Sequence, residues 1–306
     1  MKPKFRTPAR PAFLAAAALA AVLATLSLAP VPGPEADDGS ARPRLLHVEP
    51  SEYAPVVVFE QYGERCINFV EMKGEGRQTC MRLDDPPFMV FEYTRMMTSA
   101  LLARPDPARV LIIGLGGGTL PTAFHALLPD ATIDSVEIDP AVVKVAQTWF
   151  GYETGPRQRV FVEDGRAYVQ RVRDAGLQYD MILLDAFDAD YIPAHLLTVE
   201  FLQELRSILS DEGLVVANSF TRSHLNERES ATYATVFGDF YNLRAGIEGN
   251  RVIVAAKGEL PAPGVLQANA ARLASRLKPY GIDTSEALDW FRRAPGGLFT
   301  APPLRD

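Results

Sequence analysis

Cysteine is nearly absent from this chain of 306 residues: Cys66 and Cys80 are the only two, and their spacing does not match a zinc cluster. No internal repeat occurs, which excludes solenoid and propeller arrays. Long runs of lysine or arginine are also missing and the net charge is −7, so a nucleic-acid-binding surface is not expected. No P-loop lysine follows the main glycine-rich stretch, which excludes the usual triphosphate cradle. What is present is apolar material, 47% hydrophobic against 23% charged residues, ample for one large core or a core with a small annex.

Charge is absent altogether from Pro11 to Pro34. The preceding MKPKFRTPAR carries Lys2, Lys4, Arg6 and Arg10 and no acid, and the apolar run FLAAAALAAVLATLSLAP follows it. A basic stretch ahead of an apolar one is the layout of an export signal. The small residues of SLA, ending at Ala29, suit cleavage, and Pro30 opposes it. Glu35, Asp37 and Asp38 beyond the run place the N-terminus inside and the body outside. Residues 1–34 are therefore expected to be a signal or anchor segment that opens into a Pro/Gly/Asp-rich linker over 30–44, giving an exported or membrane-anchored protein. A cytoplasmic protein with a disordered Ala/Pro extension is the alternative. In an oxidising compartment Cys66 and Cys80, on neighbouring strand-like runs, could pair; the sequence leaves this open.

Between residues 45 and 90, YAPVVVFEQYG, RCINFVEMKG and GRQTCMRLD are rich in β-branched and aromatic residues and are broken by glycine. That is the pattern of short antiparallel strands, here a small β annex with KGEG at 73–76 as a hairpin turn. Apolar residues at helical spacing run from Phe91 to Leu102 and stop at Arg104-Pro105. Strand and helix then alternate: RVLIIG and TLPTAFHALL, TIDSVEID and PAVVKVAQTWF, RVFVED and GRAYVQRVRDAG, YDMILLDAF and VEFLQELRSILS, GLVVANS and a helix near 223–237. YNLRAGIEGNRVIVAAK closes with a hairpin. The alternation predicts an α/β domain over 91–257 with a mostly parallel sheet, its ligands beyond the carboxyl ends of the strands. Residues 258–306 are expected to hold one helical stretch, VLQANAARLASRL, and a tail. His125, Trp149 and Trp290 lie in helix-like segments and read as packing residues.

The first strand of that domain ends in VLIIGLGGGTL, with glycines at 114, 116, 117 and 118. Thr119 stands where the dinucleotide fingerprint G-x-G-x-x-G would have its last glycine. The spacing G-x-G-x-G at Gly114, Gly116 and Gly118 is instead that of Rossmann-like, S-adenosylmethionine-dependent methyltransferase-type sheets, whose backbone approaches an adenosyl donor. Glu137 ends the second strand, 23 residues past Gly114, where an acid can accept both ribose hydroxyls. Asp164-Gly165 at the third strand end offers a carboxylate and an amide to an adenine edge. Each acid alone reads as a helix N-cap, but acids at successive strand ends argue for a shared ligand. The fourth end, LLDAFDADYIP, carries Asp185, Asp188 and Asp190. Asp185, on the strand end itself, is expected to take a proton from an amine, with His195 as the alternative base. Asp190 reads as turn chemistry.

These stretches, together with YIPAHLLTVEFLQELRSIL, resemble the spermidine synthases (polyamine aminopropyltransferases). Upstream, EYAPVVVFE, GRQTCMRLDDP and FEYTRMM resemble that family's N-terminal β annex and first helix, so the likeness spans residues 45 to 257. It implies a transferase of polyamine and spermidine biosynthesis, moving an aminopropyl group from decarboxylated S-adenosylmethionine to a diamine such as putrescine. It implies neither a metal nor a permanently bound cofactor. By position, Gln78, Glu137, Asp164 and Gly165 would bind the adenosyl donor and Pro193 would line the adenine site. Tyr93 and Asp188 would contact the polyamine, and Asp185 would accept the proton. The family's loop usually reads G-G-G-D-G-G, with the aspartate on the donor's amine; here Leu115 and the glycines offer no carboxylate. Thr94 replaces the histidine after the tyrosine, and DADYIP replaces D-P-x-G-P. The pattern is closer to a divergent spermidine-synthase-like branch, often found beside or fused to membrane segments. One alternative is a methyltransferase using S-adenosylmethionine itself, whose carboxylate an uncharged loop tolerates. Another is a binding protein that holds an adenosyl or polyamine ligand without turnover. A homodimer is compatible with the sequence.

Overall fold

The structure is a computed structural model and describes residues 42–69, 77–187, 192–246 and 249–306. The expected signal segment at 1–34, the KGEG turn, Asp188 and Asp190 lie outside the described residues. No helix among the described residues is long and apolar enough to cross a membrane.

Strands β1 (Arg44–Glu49), β2 (Val56–Gln61), β3 (Glu64–Asn68) and β4 (Thr79–Arg82) form an antiparallel sheet in that order. Tyr62 and Gly63 both have positive φ, 53° and 74°, and make the two-residue turn between β2 and β3, a geometry that matches the strands' own twist. Val56, Val58 and Ile67 are fully buried on one face of this annex, each contributing roughly 1.5–3 kcal/mol as an upper bound. They pack on Leu115, Val142, Val145 and Tyr152 of the larger domain, which fixes the annex against the loop after that domain's first strand.

Cys66 and Cys80 stand opposite one another across β3 and β4 and form a disulfide with a sequence separation of 14. Closing a loop of this length restricts the unfolded chain and is worth about 3 kcal/mol. Cys66→Ala with Cys80→Ala, or reduction of the wild type, should lower unfolding stability by that amount. Equilibrium denaturation with and without reductant reads this out; coincident curves would contradict it.

Helix α1 (Glu92–Thr98) continues as a 3-10 turn over Ser99–Leu102. The predicted helix thus tightens where the Ser99 hydroxyl donates back to the Arg95 carbonyl at 2.8 Å. Strand and helix then alternate: β5 (Arg109–Ile113), α2 (Thr119–Leu127), β6 (Thr132–Glu137), α3 (Pro140–Trp149), β7 (Gln158–Val162), α4 (Gly165–Asp174), β8 (Tyr179–Leu184), α5 (Val199–Ser207), β9 (Leu209–Phe220) and α6 (Asn226–Phe237). The hairpin β10 (Phe240–Leu243) and β11 (Asn250–Ala256) follows, then α7 (Pro263–Leu277), α8 (Thr284–Trp290) and β12 (Phe291–Ala294). The eight-stranded sheet has the order β12-β10-β11-β9-β8-β5-β6-β7. It is parallel from β9 to β7 and antiparallel from β9 to β12.

Alternate residues of the central strands feed two cores. Val110, Ile112, Met181 and Leu183 point to the side of α1, α2 and α7. Leu111, Ile113, Ile182 and Leu184 point to the side of α4, α5 and α6. From β5 the chain moves to β6 and β7 on one side, and later to β8 and β9 on the other. A crevice therefore opens beyond the carboxyl ends of β5 and β8, where ligands of such sheets bind.

The tail holds more than the single helix expected from its sequence. Both α8 and β12 form, and β12 pairs with β10 from Phe240↔Ala294 to Leu243↔Phe291. Phe-Arg-Arg-Ala carries no apolar alternation, because its pairing uses backbone groups at an open sheet edge and its two arginines stay exposed. Trp290 is buried in the core as expected, and Trp149 stacks on His47 of the annex at 5.7 Å.

Candidate active site

Four strand ends and one annex strand enclose a cavity of about 500 Å³. Gly114 follows β5, Glu137 ends β6, Asp164 precedes α4 after β7, and Asp185 follows β8; Gln78 and Thr79 enter from β4 and its approach, and Tyr93 from α1.

The glycine loop is shaped first by its own chain. Gly114 has φ +97°, and a Cβ there would lie 2.2 Å from the carbonyl oxygen of Asp185. The β5 turn crosses directly over the end of β8, so no side chain fits. Thr79 seats the next residues: its Oγ1 accepts from the Gly117 amide at 3.2 Å and lies 2.6 Å from where a Gly116 Cβ would be. Gly118 is not on the cavity wall. It precedes α2 with φ +80°, and a Cβ would meet the Tyr152 ring at 2.9 Å, so this glycine serves packing against Tyr152.

Glu137 holds the loop and the next helix at once. One carboxylate oxygen accepts from the Leu115 amide and the other from the Asp139 amide, both at 3.0 Å. Burial pushes its pKa up, against the pull of those two amides and of the Ile138 amide. The carboxylate also lines the cavity. Asp139 caps α3 through Ala141 at 2.8 Å and accepts from the Ser51 hydroxyl at 2.6 Å, which ties the β1–β2 loop to this rim.

Asp164 is an N-cap as well as a wall residue. Its Oδ1 accepts from the amides of Arg166 and Ala167 at 3.0 and 2.9 Å, and its Oδ2 bonds His195 Nε2 at 2.8 Å. Burial works to raise its pKa, but the Ala167 amide and His195 overcome this and hold the carboxyl below its usual value. Gly165 lies against Ile113, with a Cβ position 2.6 Å from Cγ2, and it lines the cavity together with Pro193 and His195.

Asp185 stands at the other end of the wall. Its amide donates to Ile113 at 2.8 Å, continuing the β5–β8 ladder, and its side chain is half-buried and opens on the cavity. Oδ1 accepts from Asn218 Nδ2 at 2.9 Å, and the Tyr93 hydroxyl also donates to the carboxylate. Burial pushes the Asp185 carboxyl up to about 7, against those two hydrogen bonds. Burial, then the Asp185 charge, raise the Tyr93 phenol well above its ordinary value, so Tyr93 is a fixed donor at neutral pH. No lysine or arginine pairs with Asp185 among the described residues.

The structure thus brings Gln78, Tyr93, Gly114, Gly116, Glu137, Asp164, Gly165, Asp185 and Pro193 to one cavity, and Gly118 not. His195 is at the Asp164 end, in a bond that does not include Asp185. Thr79 and Asn218 were missed by sequence reasoning. Asn218 had a usable signal, because ANS after the apolar GLVV is a fifth polar strand end beside the fourth. Thr79 had none: its role depends on the annex packing over the loop. Among the described residues the metal-ligand side chains grouped within reach of one another are Glu64, Cys66 and Cys80, and the disulfide consumes both thiols.

The spermine/spermidine synthase domain model matches residues 90–241. A polyamine aminopropyltransferase of Vibrio vulnificus is 45% identical over 241 residues, 78% of this chain and 81% of that protein. The chain belongs to the spermine/spermidine synthase family. The match to the Vibrio protein extends beyond the family domain. A probable spermidine synthase from Corynebacterium glutamicum shares the fold, with a TM-score of 0.66 at 20% identity over 85% of this chain and 96% of its own. Human methyltransferase-like protein 13 in complex with SAH aligns with a TM-score of 0.57 at 30% identity, over 61% of this chain and 93% of its own. The spermidine synthase family and a methyltransferase thus share this α/β sheet, and the small antiparallel annex stands before it in the present chain.

Proposed function

We propose that this chain is a polyamine aminopropyltransferase that moves an aminopropyl group from decarboxylated S-adenosylmethionine to a diamine such as putrescine. One observation carries the reading: Asp185, a carboxylate without a cation partner among the described residues, opens on the same cavity as the glycine loop and Glu137. Its charge is left for a substrate amine. The 45% identity to a polyamine aminopropyltransferase supports that choice.

The reaction is a direct displacement. The amine nitrogen attacks the carbon next to the sulfonium, a C–N bond forms, and the C–S bond breaks to leave a neutral thioether nucleoside. The proton released by the amine passes to Asp185 Oδ. A diamine has a pKa of roughly 10, as lysine does, so a nearby base is needed at neutral pH. The chain's remaining task is alignment of donor and amine. In this reading Glu137 accepts from the ribose, and the backbone of Gly114 and Gly116 passes under the donor with Gln78 beside it. Asp164, Gly165 and Pro193 bound the adenine, and Tyr93 and Asp188 hold the amine.

Glu137→Ala should weaken binding of the adenosyl donor by roughly 1.5–3 kcal/mol, the range for hydrogen bonds to a charged group. Calorimetry with decarboxylated S-adenosylmethionine measures this, and unchanged affinity would remove Glu137 from the donor site. The transfer itself is tested by the nucleoside released: methylthioadenosine marks aminopropyl transfer, and S-adenosylhomocysteine marks methyl transfer. The methyl reading is favoured by one observation, the loop at Leu115 without a carboxylate, which leaves room for the carboxylate of S-adenosylmethionine. The basic and then apolar start of the chain supports membrane association or export, and the disulfide suits an oxidising compartment. Recovery as a soluble protein with Met1 intact would refute that. A homodimer is the assembly to look for by sedimentation.

A further inference from the structure

We infer that Asn218 and Asn250 form a two-amide relay that points a hydrogen-bond donor at Asp185 and makes Asn218 a positioning residue for the base. The inference rests on the reading of Asp185 given above for its catalytic meaning, but its physical content does not.

An amide side chain offers two nearly equivalent ends, one donating and one accepting. If the ends of Asn218 were exchanged, its oxygen would face the Asp185 carboxylate and repel it. The ionised Asp185 carboxylate, which only accepts, and Asn250 oppose this from the two ends: Asn250 Nδ2 donates to Asn218 Oδ1 at 2.9 Å, and Asn218 Nδ2 donates to Asp185 Oδ1 at 2.9 Å. Asn218 is 3% exposed, so water does not replace the lost partner when either bond is broken. The relay runs across three strands of the sheet, from β11 through β9 to the end of β8. Backbone pairing sets its spacing: Val252 pairs with Asn218 and Asn250 with Phe220, which puts the two amides two residues apart along neighbouring strands.

Asn218 and the Tyr93 hydroxyl both donate to the Asp185 carboxylate. Together they offset part of the cost of burying the carboxylate. Six other titratable groups line the cavity from neighbouring elements: Tyr53 between β1 and β2, Glu137 on β6, Asp139 before α3, Glu163 and Asp164 after β7, and His195 beyond β8. These contribute equally to the wild type and to variants at Asn218 or Asn250, so a difference between those proteins reports the relay.

Carboxyl NMR of the full chain labelled at aspartate, with Asp185→Asn to assign the resonance, follows Asp185 without any substrate. The wild type should titrate at about 7. Asn218→Ala should raise that midpoint by about one pH unit, on the order of a tenfold change in proton affinity. Asn250→Ala, one step further from the cavity, should raise it less and in the same direction. In the double variant Asn250→Ala should add nothing beyond Asn218→Ala, because the two amides act in series. The turnover profile of Asn218→Ala should move with the NMR midpoint and recover at higher pH. An unmoved Asp185 midpoint in Asn218→Ala would overturn the relay, as would strictly additive effects of the two substitutions. If Asn218→Ala does not fold, an unmoved midpoint in Asn250→Ala decides against it alone. A midpoint that moves in a protein without transferase activity would sink the proposed function and leave the relay standing.

Discussion

Asp185→Asn is expected to lower turnover by about 10²–10⁴-fold, the range for loss of a general base. The substitution keeps the shape of the side chain and the Asn218 neighbour and removes only the proton acceptor. Donor affinity should barely change, because Glu137 and Asp164 stand on other strand ends. In the wild type the rate at low diamine should climb through about pH 7, as burial places the Asp185 carboxyl there, and the variant should lose that rise. The sign of the stability effect is separate. The Asp185 pKa is raised on folding from 3.8 to about 7, so the protonated form stabilises the fold below the lower value, and that contribution is lost as pH climbs through the upper one. Asp185→Asn should therefore melt no lower than the wild type at pH 8. A near-normal rate in this variant would remove Asp185 from the chemistry and turn attention to His195.

Gly114→Ala is expected to cost roughly 2–4 kcal/mol in stability, combining backbone strain with overpacking, and to abolish donor binding. Its Cβ would meet only backbone, the Asp185 carbonyl oxygen at 2.2 Å and carbon at 2.6 Å and the Ala186 nitrogen at 2.9 Å, so no rotamer change relieves it. Either the loop or the end of β8 must shift, and both line the cavity. Gly151→Ala is the control. That glycine also has positive φ, +70°, but nothing lies within 4 Å of its Cβ position, so only strain of about 1 kcal/mol applies. Equal stabilities of the two variants would show that the crossing over Asp185 is not tight.

The parallel sheet was legible because buried strands read as unbroken apolar runs, and the helices between them carry a 3.6-residue period. Acids at successive strand ends were legible for the same reason: the end of an apolar run marks the sheet's rim. What the glycines accommodate was not. The sequence suggested a ligand, and the closest neighbours of Gly114, Gly116 and Gly118 are Asp185, Thr79 and Tyr152, each set by tertiary packing between distant segments. Asp164 satisfies two readings at once, cap and cavity wall, which single-position reasoning treated as rivals. Strand β12 was hidden because backbone pairing at a sheet edge asks little of the side chains.

The central claim is that an amine beside Asp185 receives an aminopropyl group. It is tested most directly by incubating the full chain with putrescine, decarboxylated S-adenosylmethionine and S-adenosylmethionine together, and weighing the acceptor by mass spectrometry. The expected product is putrescine carrying one aminopropyl group, formed by the wild type and not by Asp185→Asn. A methylated acceptor, or putrescine returned unchanged, would contradict the account.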